Sequence, residues 1–213
     1  MSESSAFIPA GNGKLQHLIF KLYLNAQIKK SFQEIKIIGK GIEEHSNALP
    51  MLYLGNHISW WDGFIPYYLN NKYLQQNFHL MMLESELIKR PFFRKLGAFG
   101  MDSTIIRQSL LHSAEILSHP RNMLVMFPQG KIHSQQLPNI KWQPGLQFIL
   151  DKLTDTIQIL FTAHFVDYFQ HQKPTWYIYT KLLNTSTTQP DSWQSLYQEF
   201  YHDSQTKHSF LAQ

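Results

Sequence analysis

Pro50-Met51-Leu52-Tyr53-Leu54-Gly55-Asn56-His57-Ile58-Ser59-Trp60-Trp61-Asp62 decides how the chain is read. Met51 to Leu54 is apolar without interruption, the pattern of a strand buried on both faces in the middle of a parallel sheet. From Asp62 to about Leu74 the spacing predicts a helix, with Phe64, Ile65, Tyr68 and Leu69 among its apolar positions. Asn56 to Trp61 therefore falls on a strand-to-helix junction, where α/β proteins display reactive side chains.

The same alternation extends in both directions. Strands are expected over 34–38, 79–83, 97–101, 122–127 and 156–165, and a partly alternating strand over 175–181 is expected at a sheet edge. Helices are expected over 86–96, bent or restarted at Pro91, and from an N-cap at Ser103 to about Ser118, before His119-Pro120. Two more are expected from Pro144 to about Leu153 and from Pro190 to about Phe200. Gly39 to Leu49 reads as a loop or hairpin, and the tail from His202 as loose. Strand and helix in alternation predict an α/β fold with a single, mostly parallel sheet flanked by helices.

Residues 1–13 read as a flexible, Ser-rich leader, and residues 14–31 as an amphipathic helix. Leu15, Leu18, Ile19, Leu22 and Ala26 share one stripe, which Phe20, Leu24 and Ile28 widen; Lys14, Lys21, Lys29 and Lys30 lie near its edges. Such a helix either lies in the plane of a membrane surface or caps the core with its lysines snorkelling. The chain thus divides into residues 1–31, leader and helix, and residues 32–213, the α/β domain.

Composition narrows the function. The 213 residues suit one domain with a full core. Charged residues are only 16% and aromatics 14%, a balance that fits either work at an apolar interface or a well-filled core. Absence of Cys excludes disulfides, thiolate metal sites and a Cys nucleophile. The net charge of +4 is concentrated in the front half, over 14–40 and 72–107, which suits an anionic membrane face or an acidic carrier protein or cofactor. Nucleic acid is not expected, since no Arg-rich helix or zinc-finger spacing is present. No apolar stretch approaches the ~18–20 residues of a transmembrane span, and the opening Met-Ser-Glu-Ser-Ser is unlike a signal peptide.

His57 and Asp62 are too far apart for one face of an unbroken helix. With the His on the loop and the Asp in the first helical turn, the carboxylate can fold back onto one ring nitrogen and leave the other as a base. Asn56 and Ser59 are placed to orient that loop or meet substrate. The bland reading is a buried His bonded to a helix-capping Asp. Phe127-Pro128-Gln129-Gly130-Lys131 ends another apolar run. There Gly130 can let backbone N–H groups approach an oxyanion or phosphate, and Lys131 can pair with an anion; an ordinary strand-ending turn is the alternative. Arg107 can point back to the same crevice. Arg90, Arg94 and Lys95 cluster beside Pro91-Phe92-Phe93, fitting an acidic partner, a membrane rim or a solvated face. No metal is expected: His57, Asp62 and His133 lack zinc or two-metal spacing.

Three blocks in order resemble the glycerolipid acyltransferase superfamily, the enzymes similar to 1-acylglycerol-3-phosphate acyltransferase. They are Gly55-Asn56-His57-Ile58-Ser59-Trp60-Trp61-Asp62-Gly63, Gly97-Ala98-Phe99-Gly100-Met101-Asp102 and Phe127-Pro128-Gln129-Gly130, within a resemblance that spans roughly 35–169. The resemblance implies that His57, held by Asp62, deprotonates a lipid hydroxyl, which attacks an acyl thioester on coenzyme A or acyl carrier protein; no other cofactor is implied. It also implies attachment at the inner, cytoplasmic face of a membrane through the N-terminal helix. An apolar acyl tunnel is expected from some of Met51, Trp60, Phe64, Met82, Leu83, Phe99 and Met101.

The departures from the family pattern concern recognition. Ser103 and Ile132 stand where the family usually has Arg, Gln129 where it has Glu, and Phe161-Thr162-Ala163 where it has Val-Pro-Val. Loss of a bidentate arginine is not neutral. Either Lys131 and Arg107 compensate, with Ser103, Gln129 and Gly130 completing the substrate site, or the acceptor lacks a phosphate, as a glycosylated carotenoid or an amino-acid lipid does. Hydrolysis of the thioester and a non-catalytic lipid-binding module are the competing readings.

Overall fold

The computed structural model describes residues 7–153, 155–188 and 192–211. Its strands are β1 (Ile35–Ile38), β2 (Met51–Gly55), β3 (Asn77–Leu83), β4 (Ala98–Met101), β5 (Asn122–Met126), β6 (Gln158–Asp167) and β7 (Thr175–Asn184). Its helices are α1 (Lys14–Ser31), α2 (Phe64–Leu69), α3 (Glu84–Lys89), α4 (Ile106–Leu117), α5 (Gly145–Leu150) and α6 (Trp193–Ser209). The strands form one sheet in the order β1-β7-β6-β2-β5-β3-β4. All neighbours run parallel except β6 and β7, which are antiparallel.

β2 sits at the centre because both of its faces are needed. Leu52 and Leu54 pack into the layer with α4, α5 and α6, while Met51 and Tyr53 pack into the layer with α1 and α2. A strand covered on both sides has no polar positions to offer, which is why its sequence does not alternate.

Four expectations are corrected. β7 is not an edge: it is longer than read and lies between β1 and β6, so the edges are β1 and β4. The tail from His202 is not loose, because α6 runs on to Ser209 with Tyr201, Ser204 and His208 buried and His208 Nε2 2.6 Å from Asp167 Oδ2. Ser103 is exposed and caps nothing; Asp102 Oδ1 instead accepts from Thr104 N–H and Oγ1–H (2.9 and 2.7 Å), and α4 starts only at Ile106. Residues 8–13 do not stand off as a leader: Gly11 and Gly13 donate to the Arg94 and Lys95 carbonyls, and Gly100 to that of Ile8. Pro190, expected to open the last helix, lies outside the described residues; Ser192 caps α6 by accepting from Ser195 N–H.

The helix after the first block is broken. A 3-10 turn over Trp60–Gly63 leads into α2, and a π turn over Asn70–Leu74 ends at Gln75 with φ 54°. The helix expected over 86–96 is likewise α3 plus a 3-10 turn (Pro91–Lys95) that restarts at Pro91.

α1 matches its expected span, with its stripes exchanged. Phe20, Leu24 and Ile28 are buried in the layer that holds α2 and the 3-10 turn after Pro91, with Phe20 against Phe64, Tyr67 and Phe93, whereas Leu15 (62% exposed), Leu18, Ile19 and Leu22 (65%) face out together with Tyr23. Among the described residues, no helix is long and apolar enough to cross a membrane.

Candidate active site

The first block turns sharply after β2, and one carboxylate organises the turn. Asp62 Oδ2 accepts from Ile58 N–H at 2.6 Å, Ser59 N–H at 2.8 Å and His57 Nδ1–H at 2.6 Å. Ser59 Oγ accepts from Trp61 N–H at 2.9 Å and completes a capping box at the start of the 3-10 turn. Asp62 is fully buried, and its Oδ1 has no hydrogen-bond partner among the described residues. A carboxylate can only accept, so the neutral imidazole carries its proton on Nδ1 and keeps a lone pair on Nε2.

His57 is held on its remaining sides as well. Its N–H donates to Gln129 Oε1 at 2.7 Å, its carbonyl accepts from His133 N–H at 2.9 Å, and its ring stacks on Phe127 at a centroid distance of 4.9 Å. The loop is also tied to β6. Asn56 Nδ2 donates to the His164 carbonyl at 2.9 Å, and His164 N–H donates back to Asn56 Oδ1 at 2.6 Å. The buried His164 ring accepts from Trp176 Nε1–H through Nδ1 (3.0 Å), which leaves the proton on Nε2, facing Tyr53 Oη at 2.8 Å and Thr162 Oγ1 at 3.1 Å. Burial pushes its pKa down to about 4, so this imidazole is neutral near pH 7.

His57 borders a cavity of about 290 Å³. Its wall includes Trp60, Phe64, Met82, Leu83, Met101 and Phe127, together with Phe20 of α1, Tyr67, Phe78 and Leu96. Of the tunnel residues expected from sequence, Met51 and Phe99 are instead fully buried core. Glu86 and Arg90 also line the cavity.

Among the sequence-predicted site residues, the fold brings together Asn56, His57, Ser59, Asp62, Gln129 and Gly130. Asn56, Ser59 and Gln129 are engaged in holding the loop. Gly130 lines the cavity with φ 74°, a conformation that disfavours side chains, but its N–H already donates to the Phe127 carbonyl at 3.0 Å. Ser103, Arg107 and Lys131 are exposed and do not line the cavity. Sequence reasoning missed Phe127, His133 and His164 as supports of His57. Only Phe127 carried a signal, as the first residue of the third block. No group of three or more His, Cys, Asp or Glu residues that could hold a metal ion occurs among the described residues.

A His with a carboxylate on one nitrogen and a free lone pair at an apolar cavity can act as a general base. The "Acyltransferase" family model matches residues 36–161, more than half of the chain, and covers both the dyad and the Phe127-Gly130 turn. The chain belongs to this acyltransferase family. No curated protein matches its sequence. Among solved structures it is similar to the 1-acyl-sn-glycerophosphate (LPA) acyltransferase PlsC from Thermotoga maritima. The TM-score is 0.60 at 13% identity, covering 92% of this chain and 81% of that one. At such identity the likeness shows the fold. This acyltransferase therefore has its block-one pair at the carboxyl end of the sheet's central strand, the position at which open α/β sheets bind ligands.

Proposed function

We propose that the protein transfers a fatty acyl group from a thioester, on coenzyme A or acyl carrier protein, to a hydroxyl of a lipid acceptor. His57 Nε2 removes the hydroxyl proton as the oxygen attacks the thioester carbonyl. The tetrahedral adduct then collapses, the C–S bond breaks, and the imidazolium returns the proton to the departing thiolate. Asp62 keeps the ring in the Nδ1–H tautomer and offsets the charge that the ring gains.

The observation that carries this reading is the dyad's Nε2 edge, without a hydrogen-bond partner among the described residues, beside an apolar cavity large enough for part of an acyl chain. A lysophospholipid-type acceptor is supported by the likeness to PlsC, a 1-acyl-sn-glycerophosphate acyltransferase. Work at a membrane surface is supported by the outward Leu15, Leu18, Ile19, Leu22 and Tyr23 of α1, flanked by Lys14 and Lys21, and the cytoplasmic face is the side we propose. Trp60 and Leu83, 59% and 50% exposed, add apolar surface at the cavity itself. The donor is the only co-substrate required, and no metal takes part in the steps.

The test is mass spectrometry of lipids after incubation with an acyl thioester and a mixed polar-lipid extract. The expected result is an acylated lipid that is absent with His57→Ala. Release of free fatty acid independent of lipid would make the protein a hydrolase. Lipid binding without turnover would make it a binding module.

A further inference from the structure

We propose that Arg90 binds a phosphate at the His57 cavity, taking that phosphate from one of the two substrates; the word substrate rests on the acyl-transfer reading. Among the described residues that line the cavity, Arg90 is the only Lys or Arg. Apart from His57 and Glu86 the wall is largely aromatic and aliphatic, and an apolar wall strengthens the field of the charges at its edge. The cations that sequence reasoning put forward, Lys131 and Arg107, lie outside the cavity, and the positions at which the family's arginines would stand are Ser103 and Ile132. Arg94 is committed elsewhere, its Nε donating to the Pro9 carbonyl at 3.0 Å.

Arg90 follows α3 immediately before the turn at Pro91, and its side chain is 45% exposed. Among the described residues its guanidinium has one partner, Glu86, reached through Nη1. Nη2 and Nε therefore remain to form the planar fork that suits two phosphate oxygens. Glu86 does not need Arg90 to stay neutralised, because its other oxygen pairs with Lys89 Nζ at 2.9 Å. The three side chains carry one net positive charge, and a phosphate can share Arg90 without stranding the carboxylate. A neutral acceptor and a donor without phosphates would give this fork nothing to hold.

Binding is measured on His57→Ala protein, so that turnover does not intervene, with two ligand pairs. The acceptor pair is 1-acylglycerol-3-phosphate against the matching monoacylglycerol. The donor pair is acyl-CoA against the acyl thioester of N-acetylcysteamine, which lacks phosphates. The phosphate-bearing member of one pair is expected to bind at least about tenfold more tightly than its neutral counterpart. Arg90→Ala erases that preference and Arg90→Lys keeps part of it; the pair concerned identifies the phosphate's source. Thermal melting checks that both variants are folded, as exposed substitutions usually are. A preference that survives Arg90→Ala, or no preference in either pair, overturns the proposal. Absence of acyl transfer by the wild type, with an Arg90-dependent phosphate preference intact, would defeat the acyl-transfer reading and leave the anion site standing. Transfer without that preference would do the reverse.

Discussion

Asp62→Asn separates the two roles of the carboxylate, because an amide keeps one and loses the other. The Asn carbonyl oxygen can still accept from Ile58, Ser59 and His57, the three N–H groups that Asp62 Oδ2 now serves. Asn caps a turn about as well as Asp. The charge is lost, however. His57 Nδ1 lies 2.6 Å from Asp62 Oδ2. Two opposite charges centred about 4 Å apart at an effective dielectric of about 20 attract by about 4 kcal/mol. If that attraction forms only as the imidazole becomes protonated in the transition state, its loss lowers kcat by about three decades. KM changes little, because the ground state contains a neutral ring. The amide N–H group in place of Oδ1 enters a site with no partner, at a cost of about 1–3 kcal/mol, or about 2–12 °C in Tm for a chain of this size. The assay is steady-state transfer well below the variant's melting temperature, with acyl thioester in excess. A fall in kcat of less than about tenfold in a folded variant would leave Asp62 as a turn cap and refute the base–orienter reasoning.

Three further outcomes are expected. Phe20→Leu, which trims an aromatic ring from the cavity wall supplied by α1, shifts competition among acyl thioesters toward longer chains; about 1–3 kcal/mol per methylene sets the scale, and product mass spectrometry reads it. Leu18→Glu with Leu22→Glu, on the outward stripe of α1, abolishes sedimentation with anionic liposomes while Tm stays nearly constant, since neither side chain is buried. Acid weakens the fold through His164. Its folded pKa of about 4 lies below the ordinary 6.5, so the unfolded chain takes up the proton first. The contribution is complete above about pH 6.5 and declines as pH falls toward 4, reaching about 2 kcal/mol lost at pH 5. Urea unfolding at pH 7 and pH 5 measures the loss, and His164→Gln flattens it.

Much of the fold was legible because β2 has a composition that only a doubly covered strand tolerates, and because the chain alternates strand with helix around it. The His57–Asp62 pair was legible for a local reason: five residues suffice to close the turn, and the hydrogen bonds to Asp62 that close it come from within the block. Features set by distant partners were not. β7 carries the same alternation whether it ends a sheet or sits inside one, and nothing within 175–184 records that β1 pairs with it. The polar run after His202 hides its helix because the anchor, Asp167, lies on β6. In α1 two apolar stripes compete, and only the position of α2 and the turn after Pro91, remote in sequence, decides that Phe20, Leu24 and Ile28 turn inward. Arg90 read as one of several surface cations because the cavity it borders is assembled from segments well apart in sequence.

The ties on the first-block loop divide the site into unequal halves. His57 follows β2, Gln129 follows β5, and His164 belongs to β6, three strands that are adjacent in the sheet. The reacting nitrogen is thus referenced to the most buried and least deformable part of the molecule. Another part of the cavity wall, from Leu83 through Arg90 to Leu96, is short helical turns near the β4 edge of the sheet. Change in that wall alters what the cavity accepts without moving the base. A lineage of such proteins can therefore explore new acceptors by substitution between Leu83 and Leu96 while the proton-transfer geometry stays fixed.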